Sequence, residues 1–216
     1  MSGLTRALKN TDKQYLIRDL LQSSLKISLV CPNCGEISSH SEDQICLSLE
    51  VQGLDDLNAS LQQYIENEII EGISGIPFFL SIGYYCRSCN QSIFVEKHQR
   101  FTHLAPNLVF QLKRFGYDAF VNDRFKLQNI FTFPLSLDLS WLSPDTDTDM
   151  DINDYQYVLK AVIVHTGEAQ AGHYTCFVMK ETGKGYELND ERVISCTEEE
   201  LISKWFGGEF VGIGNE

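Results

Sequence analysis

The chain has 216 residues, which is enough for one domain with a sizeable core. Its composition, with 43% hydrophobic and 22% charged residues, argues against a mainly disordered protein. Its 30 acidic residues outnumber 17 lysines and arginines, which gives a net charge of −13 at pH 7. This excess disfavours binding to nucleic acid or to an anionic membrane, and it suits a partner with a basic face. Because residues 1–7 lack a signal-peptide core and no apolar run is long enough to span a membrane, we expect a soluble protein of the cytoplasm, the nucleus or both.

The N-terminal region is predicted to hold a short helix followed by two strands. Thr11 and Gln14 have the spacing of a capping box, which predicts that a helix begins directly after Thr11. Apolar residues then alternate with polar ones over residues 25–29 and again over residues 45–51. This period of two predicts half-buried strands.

A second helix and a further strand are predicted in the middle of the chain. Asp55 or Asp56 is placed to cap a helix whose apolar residues recur at helical spacing, and we expect this helix to end near Gly72. Residues 93–97 alternate again between apolar and polar, so they are predicted to form a strand.

The C-terminal half is predicted to be mostly β structure. Residues 107–115 alternate and predict a strand, and residues 116–122 are predicted to form a loop. Residues 157–165 are almost continuously apolar, which predicts a central strand buried on both faces. Residues 173–180 are its expected neighbour, and residues 186–193 are the next strand, so the pattern indicates an antiparallel sheet.

Two further features follow from local patterns in this half. Thr197 and Glu200 form a second capping box, which predicts a last short helix that stops at Gly207. Aspartates alternate over residues 143–154 and raise the possibility of a calcium loop. That loop needs a central glycine and a closing glutamate, and both are missing, so a solvated acidic loop is favoured.

Four of the seven cysteines form two Cys-x-x-Cys pairs, Cys31 with Cys34 and Cys86 with Cys89. At this spacing a tight turn presents two sulfurs to one tetrahedral zinc ion, and Gly35 can take the positive φ that such a turn uses. The odd cysteine count and the lack of an export signal argue against disulfides. The alternative is four reduced cysteines at turns. Since four thiolates fill a tetrahedral shell, three nearby histidines are expected to be surface or interface residues: His40, His98 and His103.

His173 and Asn189 are the candidate catalytic residues. Gly172 lets the backbone approach closely at the base of His173. Because His173 begins one predicted strand and Asn189 lies near the end of the next, an antiparallel hairpin can bring their side chains together. An amide oxygen would hold one imidazole nitrogen and free the other for proton transfer. Taken alone, however, these residues favour a structural histidine with satisfied hydrogen bonds.

Several sequence blocks, taken in order, resemble a known family. They are the two Cys-x-x-Cys pairs and residues 108–115, 133–134, 157–167, 172–174 and 189–190. Over nearly the whole chain, this order resembles the ubiquitin-specific proteases, a family of cysteine deubiquitinases. Residues 193–201 are similar to the subgroup that includes the herpesvirus-associated ubiquitin-specific protease. The resemblance implies an α+β fold, in which a papain-like palm with an antiparallel sheet carries zinc-pinned β fingers.

The resemblance also implies roles for individual residues. His173 matches the family's general base, Asn189 matches the residue that orients it, and Asp190 matches an adjacent carboxylate that can assist. The four paired cysteines match the zinc-holding tips of the fingers, so structural Zn²⁺ is the implied cofactor. Residues 116–129 and 166–172 match two mobile loops beside the channel for the C-terminal tail of ubiquitin. Ubiquitin has a basic face, which an acidic protein complements.

The family's nucleophile is the part that this sequence lacks. In the family, a cysteine in a Gly-Asn-Thr-Cys-like block begins a helix of an N-terminal thumb, and no such block occurs here. Cys176 lies three residues along a strand from His173, so its side chain points to the opposite face. The other two unpaired thiols, Cys46 and Cys196, are not placed to replace the nucleophile either. The resemblance thus divides the chain into the end of a largely missing thumb, the fingers and the palm, at residues 1–30, 31–105 and 106–216.

Two functions follow as hypotheses. The first is the fingers-and-palm portion of a deubiquitinase, which binds ubiquitin and ubiquitinated proteins and supplies the base and its orienting residue for thiol-dependent isopeptide hydrolysis. Such a chain would be inactive alone and would need a thumb, upstream or in trans, for its nucleophile. The second hypothesis is a non-catalytic pseudo-protease that binds ubiquitin as a scaffold.

Overall fold

The computed structural model describes residues 3–70, 84–142, 155–180 and 184–207. The chain divides into two compact units. The first comprises Met1–Leu47, Gln62–Gln111 and Leu139–Tyr155, and the second comprises Ser48–Leu61, Leu112–Asp138 and Gln156–Glu216. No helix in the described ranges is both long and apolar enough to cross a membrane. The predicted acidic loop and Gly72 lie outside the described residues.

Short strands dominate the described residues. The helices there are α1 (Gly3–Leu8), α2 (Leu16–Leu21), α3 (Leu57–Ile65) and α4 (Glu198–Ile202), with a 3-10 turn at Ser140–Leu142. The strands are β1 (Ser23–Val30), β2 (Ile37–Gln44), β3 (Leu47–Leu49), β4 (Glu68–Ile70), β5 (Tyr84–Cys86), β6 (Gln91–Ile93), β7 (Val95–His103), β8 (Phe110–Leu112), β9 (Phe115–Asp118), β10 (Asp123–Lys126), β11 (Ser136–Asp138), β12 (Gln156–Val158), β13 (Ala161–Gly167), β14 (Gly172–Met179), β15 (Lys184–Asn189) and β16 (Arg192–Thr197).

The first unit is built on an antiparallel sheet in the order β2-β1-β7-β4. The prediction of a strand over residues 25–29 is confirmed, because these residues form the middle of β1. Leu25 lies opposite Phe101 of β7, and both side chains are buried. Tyr64 stacks on Phe101 with ring centroids 6.2 Å apart. The sequence pattern does not predict β2, since this strand is polar and almost wholly exposed.

The capping box predicted at Thr11 is wrong. The Thr11 hydroxyl donates to the Leu8 carbonyl oxygen at 2.7 Å and accepts from the Lys13 amide at 3.2 Å. It therefore closes the turn after α1 instead of capping a helix. The predicted apolar helix exists as α2, but it begins only at Leu16 and has no side-chain cap at Tyr15.

The helix predicted after Asp55 or Asp56 is present as α3. The Asp56 carboxylate caps it by accepting from the Ala59 amide at 2.8 Å. The predicted end near Gly72 is wrong, because α3 ends at Ile65 and the chain then forms β4, which pairs with β7.

Several predicted strands are shorter or broken in the structure. Only β3 forms a strand within residues 45–51, residues 93–97 are divided between β6 and β7, and residues 107–115 are divided between β8 and β9. β9 then continues to Asp118 and pairs with β10. Residues 116–122 are therefore not a loop throughout, but one side and the turn of a hairpin.

The second unit holds an antiparallel sheet in the order β13-β14-β15-β16. The prediction of one central strand over residues 157–165 is wrong. Its first residues belong to β12, which pairs with β11, and its last residues belong to β13 at the edge of the sheet. Ile163 is 70% exposed, so β13 is not buried on both faces. The expected neighbour, residues 173–180, is confirmed as β14, which pairs with β13.

Helix α4 completes the core of the second unit. Its capping box is confirmed, because the Thr197 hydroxyl accepts from the Glu200 amide at 3.3 Å and the Glu200 carboxylate accepts from the Thr197 amide at 2.8 Å. The predicted end at Gly207 is wrong, since α4 is only 5 residues long. The buried residues of this core are Phe177, Leu201 and Trp205.

Candidate functional site

The four paired cysteines meet in the first unit. Cys31 directly follows β1 and Cys86 ends β5, so the two pairs are carried by different strands. The four sulfur atoms all lie within 4.8 Å of one another. The Sγ atoms of Cys31 and Cys34 are 3.3 Å apart, and those of Cys31 and Cys89 are 3.7 Å apart. Four converging thiols are the donor set of a closed tetrahedral metal site, so this cluster can hold a metal ion.

The backbone after each pair adopts the same left-handed conformation. Gly35 has a φ of 72° and Asn90 has a φ of 54°. Glycine and asparagine are the residues that adopt this conformation at the least cost. The Gly35 amide donates to the Cys31 carbonyl oxygen at 2.8 Å, and the Cys89 amide donates to Cys86 Sγ at 3.5 Å. Each pair is therefore a tight turn that directs its thiols toward the other pair.

The thiols of the cluster differ in acidity. Burial raises the pKa of Cys31, but hydrogen bonds from the backbone and side chain of Cys34 outweigh it and lower this pKa to about 7. Hydrogen bonding with the Cys34 side chain, together with burial, raises the pKa of Cys89. Neighbouring thiols cannot all ionise without a counter-charge, and a divalent cation supplies one. Cys31 is therefore a more acidic thiol than Cys89.

Apolar side chains enclose two of the four sulfurs. Cys31 and Cys86 are fully buried against Ile93 and Val95. Cys34, in contrast, is exposed. A metal bound here would have one buried side, which excludes water, and one side open to exchange with solvent.

Of the three nearby histidines, His40 and His103 are exposed and His98 is half-buried. His40 Nε2 lies 3.1 Å from the Glu42 carboxylate, and His98 Nε2 lies 3.3 Å from that of Glu96. His103 is also exposed. The metal-ligating group found among the described residues contains cysteines alone.

His173 and Asn189 come together in the second unit. His173 Nε2 lies 2.6 Å from Asn189 Oδ1. A carbonyl oxygen only accepts hydrogen bonds, so in the neutral form of the ring this contact favours a proton on Nε2 and a lone pair on Nδ1. Asp190 Oδ2 is 3.8 Å from the same nitrogen, and its side chain is 78% exposed against 48% for His173. Asn189 is therefore the direct partner of the ring, and Asp190 is a more distant negative charge.

Strand pairing places these residues at one end of the sheet. Cys176 of β14 lies opposite Leu188 of β15, so His173 and Asn189 follow at the same end of the hairpin. On the other side of β14, His173 lies opposite Thr166 of β13. The base candidate is thus held between two neighbouring strands.

The close approach predicted at Gly172 is present. The ring of His165 lies against Gly172, where a β-carbon would overlap its Nε2 and Cε1 atoms. The same ring contacts Phe115 and Tyr174, with centroids 5.1 and 4.7 Å away. Burial, and after it the charge of Lys126, lowers the pKa of His165 and so favours the neutral ring. Only glycine at position 172 leaves room for it.

The other thiols are not joined to His173 by any hydrogen bond among the described residues. Cys176 lies opposite Leu188 and three residues along β14, so it points to the other face of the sheet. Cys196 lies on β16, and Cys46 lies in the first unit, where burial raises its pKa. Among the described residues, the candidate base His173 is therefore hydrogen-bonded to Asn189 and to no cysteine.

Sequence reasoning missed two contacts at these sites. Ser88 donates to the Glu36 carboxylate and so joins the two cysteine turns. Lys126 Nζ donates to the His165 carbonyl oxygen beside the candidate base. The partners are 52 and 39 residues apart in the chain, so no local pattern marks either contact.

Comparison with known proteins finds one family. The family model described as ubiquitin carboxyl-terminal hydrolase matches residues 1–207. Ubiquitin carboxyl-terminal hydrolase 5 of Schizosaccharomyces pombe is 29% identical over 211 residues, which cover 97% of this chain and 18% of that protein. Ubiquitin carboxyl-terminal hydrolase 26 of Arabidopsis thaliana is 32% identical over 183 residues, which cover 82% of this chain and 16% of that protein. The chain spans less than a fifth of the length of these relatives.

Solved structures share the fold. The SAGA DUB module of Ubp8, Sgf11, Sus1 and Sgf73 bound to monoubiquitin aligns with a TM-score of 0.74 over 94% of this chain and 43% of that chain, at 24% identity. The module bound to ubiquitin aldehyde aligns with a TM-score of 0.72 over 89% of this chain and 41% of that chain, also at 24% identity. The predicted α+β fold class is confirmed by these matches and by the sheet-rich structure with its cysteine cluster.

Proposed function

We propose that this chain, which belongs to the ubiquitin carboxyl-terminal hydrolase family, is a portion of the catalytic domain of a ubiquitin-specific protease. In this proposal residues 31–105 are the fingers, residues 106–216 are the palm and residues 1–30 are the end of the thumb. The block at residues 193–201 favours the subgroup of the herpesvirus-associated ubiquitin-specific protease. The chain binds ubiquitin and supplies the general base for isopeptide hydrolysis, in the cytoplasm, the nucleus or both.

The hydrogen bond of 2.6 Å between His173 and Asn189 carries the proposal. With Nε2 held by Asn189, the lone pair on Nδ1 takes the proton of a thiol, and the thiolate attacks the carbonyl carbon of the isopeptide bond. His173 then returns the proton to the leaving amine. In the second half, the ring takes a proton from the water that hydrolyses the thioester and frees ubiquitin. Asp190 stabilises the positive charge that the ring carries between these steps.

The nucleophilic thiol comes from outside the residues described here. Cys176 points to the opposite face of the sheet, and no hydrogen bond among the described residues joins Cys46 or Cys196 to His173. A thumb, encoded upstream or added in trans, would place a cysteine within hydrogen-bond reach of His173 Nδ1. Without it, the chain has a base but cannot form an acyl-enzyme.

Zn²⁺ is the metal that we assign to the cysteine cluster, in a structural role. A zinc ion bonds thiolates at about 2.3 Å, and a tetrahedron with such bonds has sulfur–sulfur distances of about 3.8 Å. The nearest sulfur pairs here are 3.3, 3.6 and 3.7 Å apart, close to that spacing. Four thiolates leave no open coordination position for a reacting water, so the ion would pin the fingers and take no part in the chemistry.

Ubiquitin is the proposed partner on three grounds. The family described by the matching model acts on ubiquitin by name. The solved modules that share this fold are bound to ubiquitin or ubiquitin aldehyde. The net charge of −13 complements the basic face of ubiquitin and would speed the encounter of the two proteins.

A ubiquitin-binding scaffold is the second candidate. The observation in its favour is that the described residues place no thiol beside His173. Such a pseudo-protease would still bind ubiquitin through its fingers and palm, but it would not hydrolyse the isopeptide bond. Its partners would be the same ubiquitinated proteins.

A reactive ubiquitin probe, whose C-terminal electrophile traps a catalytic cysteine, separates these two functions. We expect the zinc-loaded chain to bind monoubiquitin in calorimetry but to form no covalent adduct with the probe. Adding a thumb fragment from a family member should produce labelling of the thumb cysteine. Persistent absence of labelling with bound ubiquitin would favour the scaffold, and absence of any ubiquitin affinity would refute both functions.

A further inference from the structure

A lysine occupies the free edge of β13 next to the candidate base. Among the described strands β13 has a neighbour on one side only, so carbonyl groups on its outer side have no strand partner. Lys126 Nζ donates to two carbonyl oxygens of this strand, at 2.9 Å from His165 and 2.8 Å from Gly167. An ammonium group has three donors and can hold both oxygens at once.

These two carbonyls flank the cross-strand partner of His173. In the register of β13 and β14, Thr166 lies opposite His173, and Gly167 lies opposite Gly172. Lys126 therefore binds the backbone on both sides of Thr166. A shift of β13 at this point would carry the paired end of β14, and the His173 ring with it.

Two more contacts join the β9–β10 hairpin, which carries Lys126, to the β13–β14 hairpin, which carries His173. Gln170 Nε2 donates to Asp123 Oδ1 at 2.6 Å, and the Phe115 ring meets the His165 ring edge-on at 5.1 Å. Phe115 belongs to β9, and Asp123 begins β10, which ends at Lys126. The β9–β10 hairpin thus contacts the β13–β14 hairpin at three points. The contact made by Lys126 is to the backbone itself.

We propose that Lys126 is a positioning residue for His173, which caps the edge of β13 and thereby holds the imidazole in its hydrogen bond to Asn189. Lys126 touches no reacting atom in this proposal and acts only through the backbone of β13. The inference rests on the proposed role of His173 as the base. It adds that the β9–β10 hairpin and the base are mechanically coupled.

The nitrogen shifts of the His173 ring test the proposal in the zinc-loaded full chain. In a long-range ¹H–¹⁵N spectrum of the neutral ring, one dominant tautomer gives two well-separated nitrogen signals, and Asn189 selects the tautomer with the proton on Nε2. We expect Lys126→Met to move the two signals toward each other, because the ring is then less well held. Lys126→Arg should restore the wild-type separation, since a guanidinium can donate to both carbonyls.

Lys180→Met is the matched control, because it removes the same charge near the opposite end of β14, where Lys180 Nζ lies beside the Tyr186 ring and hydroxyl. It should leave the His173 signals in place. Unchanged signals in Lys126→Met, or equal changes in both variants, overturn the proposal. If Lys126→Met does not fold, Lys126→Gln keeps an uncharged donor group on a shorter side chain and should give a partial shift, and no shift there also overturns the proposal. Neither ubiquitin nor a nucleophile is needed, so failure of the proposed function would show separately in the probe experiment.

Discussion

At the residue scale, the two neighbours of His173 differ in what they contribute. Asn189 is uncharged and lies 2.6 Å from Nε2, whereas Asp190 is charged but lies 3.8 Å away with 78% of its side chain exposed. Water screens a charge in such a position, so its attraction to the ring is weak. The orientation of the ring therefore depends on Asn189, and Asp190 has the smaller role.

Asn189→Ala should lower kcat/KM for a fluorogenic ubiquitin amide by about 100-fold or more, measured with the chain joined to a family thumb, because an unheld ring spends most of its time misaligned. Asn189→Asp keeps an acceptor oxygen and should retain most of the activity. Asp190→Asn should cost less than about tenfold. A larger loss from Asp190→Asn than from Asn189→Ala would contradict the assignment of the direct partner.

Gly172→Ala should lower the free energy of unfolding by about 1–3 kcal/mol in urea titrations, because the new methyl group overlaps the His165 ring and the Thr166 carbonyl oxygen. Gly3→Ala is the control, since nothing lies within 4 Å of a β-carbon at that position. Equal stability of the two variants would show that His165 moves aside without cost.

At the element scale, the same capping-box spacing gives two different outcomes. At Thr197 both reciprocal hydrogen bonds form, and Leu201, one turn later, is fully buried in the core. At Thr11 the hydroxyl instead bonds back to the Leu8 carbonyl oxygen, and α2, which follows, has no buried residue. A cap forms where tertiary packing already favours the helix, because an isolated helix of one or two turns is not stable by itself.

Thr197→Ala should therefore destabilise the chain by about 1 kcal/mol. Thr11→Ala, which removes the same hydroxyl from an exposed turn, should change the stability by less than about 0.5 kcal/mol. Chemical denaturation followed by the fluorescence of Trp205, which lies beside α4, measures both. A similar loss at the two positions would contradict the difference described for these turns.

The strands show how far sequence patterns reach. Hydrophobic patterning locates β1, because the alternating apolar residues of this strand place one face on a core. It misses β2, which is polar on both faces, and it merges residues 157–165 into one strand although β12 and β13 pair with different partners. Periodicity reports burial and not pairing, so it cannot divide a continuous apolar run.

The candidate sites follow the same rule. The cysteine pairs and the His173–Asn189 pair are predictable, since local spacing and adjacent strands of one hairpin bring them together. The Lys126 contacts are not, because they join backbone atoms 39 and 41 residues away. Only the folded chain brings that ammonium group to the edge of β13.

Cys86→Ser should abolish stoichiometric zinc binding, because three thiolates and a hydroxyl make a much weaker site. Hydrogen exchange should then quicken in β5, β6 and the end of β1, which the metal would join. Cys46→Ser removes a thiol outside the cluster and should keep one zinc ion per chain by elemental analysis. Full zinc content in Cys86→Ser would contradict the proposed ligand set.

At the scale of the whole molecule, the chain is a part of a larger architecture in its relatives, since it spans less than a fifth of their length. Its first unit carries the cysteine cluster, and its second unit carries His173 and Asn189, the proposed base and its proposed orienting residue. The nucleophile is the one component of the proposed reaction that neither unit places beside His173 in the described residues.

The most direct test of the central claim is the rate at which the chain, joined to a family thumb, hydrolyses a fluorogenic ubiquitin amide with and without His173. Our account predicts that His173→Ala abolishes turnover while monoubiquitin still binds, because only the proton transfer is lost. His40→Ala changes an exposed histidine of the first unit and should retain the full rate. Undiminished hydrolysis by His173→Ala would contradict the assignment of His173 as the general base.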